Sequence, residues 1–477
     1  MNEELKARIS NVVFLYHRHL FIIYLNLIRH QALIQQTTLH ILLARTIRNA
    51  TQMIKWRNYN YQRSPANLWL QISEIYRIAE QYSLLNAKVQ SYADQEPISL
   101  SSAYIQAFML GSLETTSLKP QQIELVCKLL NTWSSRITID VTYDAEQHLF
   151  YVDTASDRPA QRIRNFRPTD TDRYWCFEAV NTAIELCILL IEYKIAPKQV
   201  QIKELINNKY ASETLEILKN EWSKTDHKRQ RRTQLRFKKL ASVNIAYGFK
   251  NICKQFKQYE QIKTRQSAKT HKHEEPFVLQ PTRHHSSNNA PNIYHLKPDT
   301  NDARIIDQSD HGLGIDVTQQ TQEPALSMLV SISSYDQKLS MQLGLVRSIL
   351  ALGNGQLRLG IELLTKFAIC VTFRNISLTT RLHSGNALLA AAESINNFSA
   401  NNTMAYLGDL SESFMALYIP KEYSISKQES LIIPKLYYDI SDILKGELLG
   451  QEVLIKLNRT IAADNDWNQV TFSVVTW

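Results

Sequence analysis

The sequence is poor in the residues that would fix a covalent or metal chemistry. Five cysteines, Cys127, Cys176, Cys187, Cys253 and Cys370, are spread over 477 residues, and no Cys-x-x-C occurs. That excludes a disulfide scaffold and a zinc module built on paired thiols, and it fits a reducing compartment. Long hydrophobic runs are also missing. The most apolar early run, Leu20 to Ile28, is nine residues between His17, Arg18, His19 and Arg29, His30. It is too short to span a bilayer, and a packed helix is expected there in preference to a membrane-surface one. Met1 to Ser10 mixes Glu3, Glu4, Lys6 and Arg8 and lacks the order of a secretory leader. No P-loop, His-Glu-x-x-His or Gly-x-Ser-x-Gly motif is present. The expectation is a cytoplasmic protein that is not an enzyme, with no catalytic residue, no metal site, no cofactor and no stable membrane insertion.

What is present is enough apolar sequence for several cores. Hydrophobic residues make up 44%, and mean hydropathy is −0.28. At about 150 residues per domain, this length suggests about three domains. The net charge of +9 is modest but uneven, since Lys224 to Lys239 holds eight Lys/Arg against one Asp. A local basic patch of this kind seeks phosphate, acidic lipid or an acidic partner.

The fold class read from the pattern is α+β. Residues 1–222 read as a mostly α-helical domain with one small β element. Apolar residues recur at three- and four-residue steps over 1–60, 67–85, 101–113, 120–133, 172–193 and 197–222. Trp69 and Tyr76 fall on one side of such a helix and read as core aromatics. Ile137–Tyr143 and Leu149–Val152 alternate and are predicted to pair as a hairpin. Arg158 to Asp172 reads as a solvated loop. Residues 223–370 are predicted to form an antiparallel β-barrel, with a polar, His-bearing insertion at about 262–303. Its histidines (271, 273, 284, 285 and 295) lack an acidic or Cys framework, so metal binding there is adventitious. A short helix is predicted just after a strand at Leu240–Tyr247. Gly353-Asn354-Gly355 supplies a tight turn between two predicted strands. Residues 371–477 are expected to be a β-rich C-terminal module or an extension of the barrel, with a short helix near 386–397.

One pair of motifs carries chemistry. Arg232-Thr233-Gln234-Leu235-Arg236 places two arginines four apart before an apolar run, with Arg231 beside them. Asp307-Gln308-Ser309-Asp310-His311-Gly312 is Asp-x-Ser-x-x-Gly before another. An arginine fork can bridge a phosphate or pair with guanine O6 and N7, while a carboxylate complements the N1–H and N2–H edge. Ser309 adds a hydroxyl, and Gly312 is expected to turn with positive φ. These two motifs, in this order, resemble the PilZ domain, a family of bacterial cyclic di-GMP receptors. Leu343-Gly344-Leu345-Val346-Arg347 and Leu359-Gly360-Ile361-Glu362-Leu363-Leu364 are similar to that family's closing strands. The resemblance covers about 228–370 and implies a six-stranded barrel. It also implies that Arg231, Arg232, Arg236, Asp307, Ser309 and Gly312 bind cyclic di-GMP. Residues 1–222 look like the helical extension of some members. Arg236 and Asp307 are 71 residues apart, more than the family's usual gap, and the insertion accounts for the excess.

The implied function is a receptor that relays second-messenger level to a protein partner, in processes such as pilus or flagellar motility and biofilm formation. Two other classes compete. A barrel without nucleotide binding would be a protein-interaction adaptor. A nucleic-acid-binding protein would use 228–239, but that run contains only Phe237 as an aromatic and no recognised DNA-binding module. No cyclase or phosphodiesterase signature of the GGDEF or EAL type is present.

Overall fold

The computed structural model describes residues 3–30, 36–93, 96–164, 167–178, 181–195, 197, 200–222, 236–257, 301–318, 324–334, 341–377, 413–464 and 466–475. They form two compact units. One comprises Met1–Leu235 with Leu350–Gly353, and the other Arg236–Ile349 with Asn354–Trp477.

The first unit is built on helices α1 (Glu3–Arg29), α2 (Gln36–Tyr59), α3 (Leu68–Gln81), α4 (Leu100–Ser112), α5 (Pro120–Trp133), α6 (Asn181–Glu192), α7 (Val200–Ile206) and α8 (Ala211–Trp222). α1 packs along α2, and α2 along α4. Trp69 and Tyr76 are buried in the helical core, as expected. Trp69 stacks on Phe108 with ring centroids 6.4 Å apart, and Tyr76 meets Tyr104 edge-on at 4.7 Å. Six short strands accompany the helices: β1 (Lys88–Val89), β2 (Ile98–Ser99), β3 (Ile139–Asp140), β4 (Phe150–Asp153), β5 (Gln161–Arg162) and β6 (Tyr174–Phe177).

Three expectations are corrected here. β3 and β4 do not pair as a hairpin, because β6 lies between them and hydrogen-bonds to both. The linking loop is held open by His148, whose Nδ1 accepts the Asp144 N–H at 2.9 Å and whose Nε2 lies 3.0 Å from the Asp140 carboxylate. The helix predicted over 172–193 starts only at Asn181, since Tyr174-Trp175-Cys176-Phe177 is the central strand. Its aromatics bury on the sheet, and Phe177 stacks on Phe150 at 5.7 Å. The helix predicted over 197–222 is broken between α7 and α8. There the Asn208 side chain accepts the Tyr210 N–H at 2.9 Å, and a local turn replaces the helical bonds.

The second unit holds two closed six-stranded antiparallel barrels. The first comprises β7 (Phe237–Tyr247), β8 (Asn301–Ser309), β9 (Gly312–Thr318), β10 (Leu329–Ser334), β11 (Gln342–Gly353) and β12 (Gln356–Thr365). The second comprises β13 (Ile369–Asn375), β14 (Phe414–Ile419), β15 (Ser430–Pro434), β16 (Ile443–Leu448), β17 (Gln451–Ala463) and β18 (Trp467–Val474). So the chain is α+β, with helices first and barrels after.

Numbering the strands of each barrel one to six, both close in the same cyclic order, 1-2-3-6-5-4. The architecture is therefore repeated, although no repeat of fixed period is visible in the sequence. The turn 353–355 has positive φ at all three residues, +97°, +51° and +70°. Strand β8 begins at Asn301, inside the predicted insertion, because Ala303 and Ile305 point into the barrel. Strands β8, β15 and β16 have no counterpart among the predicted strands. The short helix after β7 spans 249–257, and we call it α9. Its Phe249, Ile252, Cys253 and Phe256 join Leu343 and Leu345 of the first barrel and Leu417, Ile432 and Trp467 of the second in one buried cluster. The remainder of the insertion (258–300) and the helix predicted near 386–397 lie outside the described residues.

Candidate ligand-binding site

The two motif halves meet on the first barrel. Phe237 pairs with Gln308 and Lys238 with Asp307 across β7 and β8. This register puts Arg236, at the entry to β7, beside Asp307, at the end of β8. The guanidinium Nη1 donates to Asp307 Oδ1 at 2.5 Å. Both side chains are partly exposed, 25% and 31%, so the pair sits at a surface that a ligand can reach. Both ladders flanking β8 are irregular at this point, with a shift between Lys238 and Ala241 on one side and between Ile305 and Asp307 on the other. A bulge of this kind re-aims a side chain. Here it presents Asp307 on the outer face, while Ile305 stays in the core.

Ser309 pairs with Gly312 across a two-residue turn, and its hydroxyl donates to the Gly312 carbonyl at 3.3 Å. Gly312 does not have positive φ, contrary to expectation. Its reason for being glycine is close approach. A Cβ there would stand 3.0 Å from the Ile361 carbonyl oxygen, 3.6 Å from Arg236 Nη2 and 3.7 Å from Ser309 Oγ. Arg236, Asp307, Ser309 and Gly312 are thus brought together. Arg231 and Arg232 lie outside the described residues.

Further residues belong to this face that sequence reasoning missed. Gly314 pairs with Asp307 on one side and Gly360 on the other. A Cβ on Gly314 would lie 2.6 Å from Asp307 Oδ1, and one on Gly360 would lie 2.3 Å from Ser348 Oγ. The carboxylate therefore lies directly over bare backbone. The available signal was the Gly-x-Gly spacing of 312 and 314 on one strand, which puts both on the same face. One row further on, Asp316 receives a bidentate pair from Arg358, at 2.7 and 2.9 Å. That hydrogen bond raises the Arg358 pKa above its ordinary value, with a smaller contribution from Asp307. Arg347 pairs with Glu362 at 2.5 Å. The face is a glycine floor bordered by guanidinium–carboxylate pairs, of which Arg358–Asp316 is bidentate.

The second barrel lacks this arrangement. Its second-to-third strand connection, 420–429, holds no Asp-x-Ser-x-x-Gly, and Thr365-Lys366-Phe367-Ala368 before β13 holds no arginine. Among the described residues no group of His, Cys, Asp and Glu could hold a metal ion. Burial pushes the thiols of Cys176 and Cys187 up to about 11 and that of Cys127 up to about 12, so they are not poised as nucleophiles. A cleft of about 1090 Å³ lies elsewhere, in the helical unit between β2 and the 134–140 segment. It is lined by both signs of charge, Arg48, Lys88 and Lys128 against Glu96, Asp140 and Glu204, with several hydroxyls.

Residues 1–145 match the family model described as the N-terminal domain of the cyclic-di-GMP receptor FimW. The match takes in α1 to α5 and β3, and ends before either barrel. No curated protein matches the chain.

Proposed function

We propose that this protein is a non-catalytic receptor for cyclic di-GMP, with its site on the outer face of the first barrel, and that this barrel is of the PilZ type. Arg232 and Arg236 clamp guanine and phosphate, with Arg231 beside them. Asp307 and Ser309 hold a guanine edge, and Gly312 lets the ligand approach the backbone. The observation that carries this reading is the Arg236–Asp307 pair, formed across 71 residues of chain with Ser309 and Gly312 at the same strand ends. The similarity of residues 1–145 to a cyclic-di-GMP receptor's N-terminal domain supports it independently, because that stretch contains none of the motif residues.

Bound ligand takes over the donors and acceptors that Arg236 and Asp307 now share. The arginine-bearing segment lies where the chain leaves the helical unit. Ordering that segment is the proposed relay to a protein partner in the cytoplasm, in control of motility or biofilm formation. Calorimetric titration tests the site. The wild type is expected to bind cyclic di-GMP. Arg236→Ala is expected to lose about 10- to 100-fold in affinity, the value of one bidentate base contact. Hydrogen exchange over 224–240 is expected to slow at saturation. Absence of wild-type binding, or affinity indifferent to Arg236→Ala, sinks the assignment.

A further inference from the structure

Helix α1 carries two apolar faces, and only one is used. Phe14, Phe21, Leu25 and Ile28 are buried in the helical core, at steps of seven, four and three. Polar contacts fasten the same helix along its length. His17 Nδ1 lies 2.8 Å from Asn49 Oδ1, Arg29 meets Glu74 at 2.9 and 2.7 Å, and the Arg57 guanidinium lies 3.9 Å from the Phe14 ring centre. The opposite face shows Leu5, Ile9, Val12, Tyr16, Ile23 and Leu27, each between 42% and 65% exposed. Their steps of four, three, four, seven and four keep them on one straight stripe, with half-buried Leu20 in the longest gap. Single exposed apolar side chains need no explanation, but an aligned row of six is a patch.

The charges around the stripe are one-sided. From Leu5 to Arg29 the helix holds no Asp or Glu, but it holds Lys6, Arg8, Arg18 and two histidines, besides Arg29, whose charge Glu74 meets. Arg8, Arg18 and His19 are exposed. Two copies pressed stripe to stripe would bring cations against cations, so the charge disfavours a second copy. An apolar stripe with basic borders suits the boundary between anionic headgroups and acyl chains. By length and composition the window Arg8–Arg29 could cross a bilayer. Its fastened inner face instead holds it lengthwise on the helical unit. We infer that α1 lies flat on an anionic phospholipid surface, with Leu5, Ile9, Val12, Tyr16, Ile23 and Leu27 in the headgroup–acyl boundary. This goes beyond the nucleotide-binding reading and does not depend on it.

Flotation of the full chain with vesicles tests it, using phosphatidylcholine alone and an equal mixture with phosphatidylglycerol. The wild type is expected to float with the mixed vesicles and to stay below with phosphatidylcholine. Val12→Glu/Ile23→Glu changes only exposed positions. It is expected to keep the wild-type circular dichroism and melting temperature, and to stay below with both vesicles. Arg8→Gln, between Leu5 and Val12 on the helix surface, is expected to reduce partitioning roughly fivefold, the value of one cation near such a surface. The inference is overturned if the wild type fails to float or floats equally with both lipids. It is overturned equally if the glutamate variant floats as the wild type does, or if the wild type sediments as a dimer that the variant dissolves.

Discussion

At the scale of single residues, the candidate site depends on one carboxylate over one glycine. Asp307 can reach Arg236 only because Gly314 beneath it has no side chain. Gly314→Ala would put a methyl where Oδ1 now sits. A surface carboxylate can swing away at little cost, so the barrel should tolerate the change, but Asp307 would no longer face Arg236. The expected outcome is a melting temperature close to that of the wild type and an affinity for cyclic di-GMP lower by about tenfold or more, as for a lost bidentate contact. Calorimetry and thermal unfolding on the same sample check it, and unchanged affinity would refute this role for Gly314. Arg236, Asp307 and Ser309 were legible in the sequence because each sits in a short motif. The role of Gly314 was not, because it follows from a bulged register between two strands. The expected positive φ of Gly312 failed for the same reason: close neighbours across the sheet, not its own turn, restrict it to glycine.

At the scale of elements, helices with one clean apolar face were readable, while some strands were not. Helix α5 starts and ends where predicted, with Pro120 in its first turn and the Gln122 side chain accepting the Lys119 N–H at 2.9 Å. Strand β15 escaped because its core, Leu431-Ile432-Ile433, is apolar throughout. Leu431 and Ile433 face the second barrel's interior, while Ile432 faces the cluster shared by the two barrels. Alternation is the signal for a half-buried strand, and here both sides are buried. The packing of α2 on α5 carries its own prediction. Glu124 of α5 lies 2.6 Å from Lys55 Nζ and accepts a hydrogen bond from Tyr59, both on α2. Burial pushes its carboxyl up, but the bonds from Lys55 and Tyr59 outweigh that and leave it below the ordinary value of 4.5. A depressed folded-state pKa means stability that is complete above the unfolded value and lost as pH falls through the folded one. Glu124→Gln should therefore melt below the wild type at neutral pH, and the gap should narrow below about pH 4.5. Thermal unfolding from pH 7 to 3 measures this, and a gap constant across that range would contradict it.

At the scale of the whole chain, the resemblance took in the helical region and the barrel that carries the motif, and stopped before the second barrel. The second barrel repeats its strand order without the arginines or the Asp-x-Ser-x-x-Gly, so 371–477 could be read only as a β-rich module or an extension of the first barrel. The packing suggests what the second copy contributes. Helix α9 follows the first strand of the first barrel, and its Ile252, Cys253 and Phe256 share a core with Leu417, Ile419, Ile432 and Trp467 of the second. The barrels therefore share one buried cluster and should unfold together. Trp467 is the largest side chain that the second barrel gives to it, 1% exposed. Trp467→Ala should cost about 3–5 kcal/mol, the usual range for emptying a buried aromatic site. Its indole N–H has no hydrogen-bond partner among the described residues. Trp467→Phe forfeits no such bond and keeps most of the ring, so it should cost much less. In denaturant, hydrogen exchange of Trp467→Ala should show peptides from β7–β12 and β13–β18 losing protection at the same concentration. Loss confined to β13–β18, with the first barrel as protected as in the wild type, would mean that the shared cluster does not couple them.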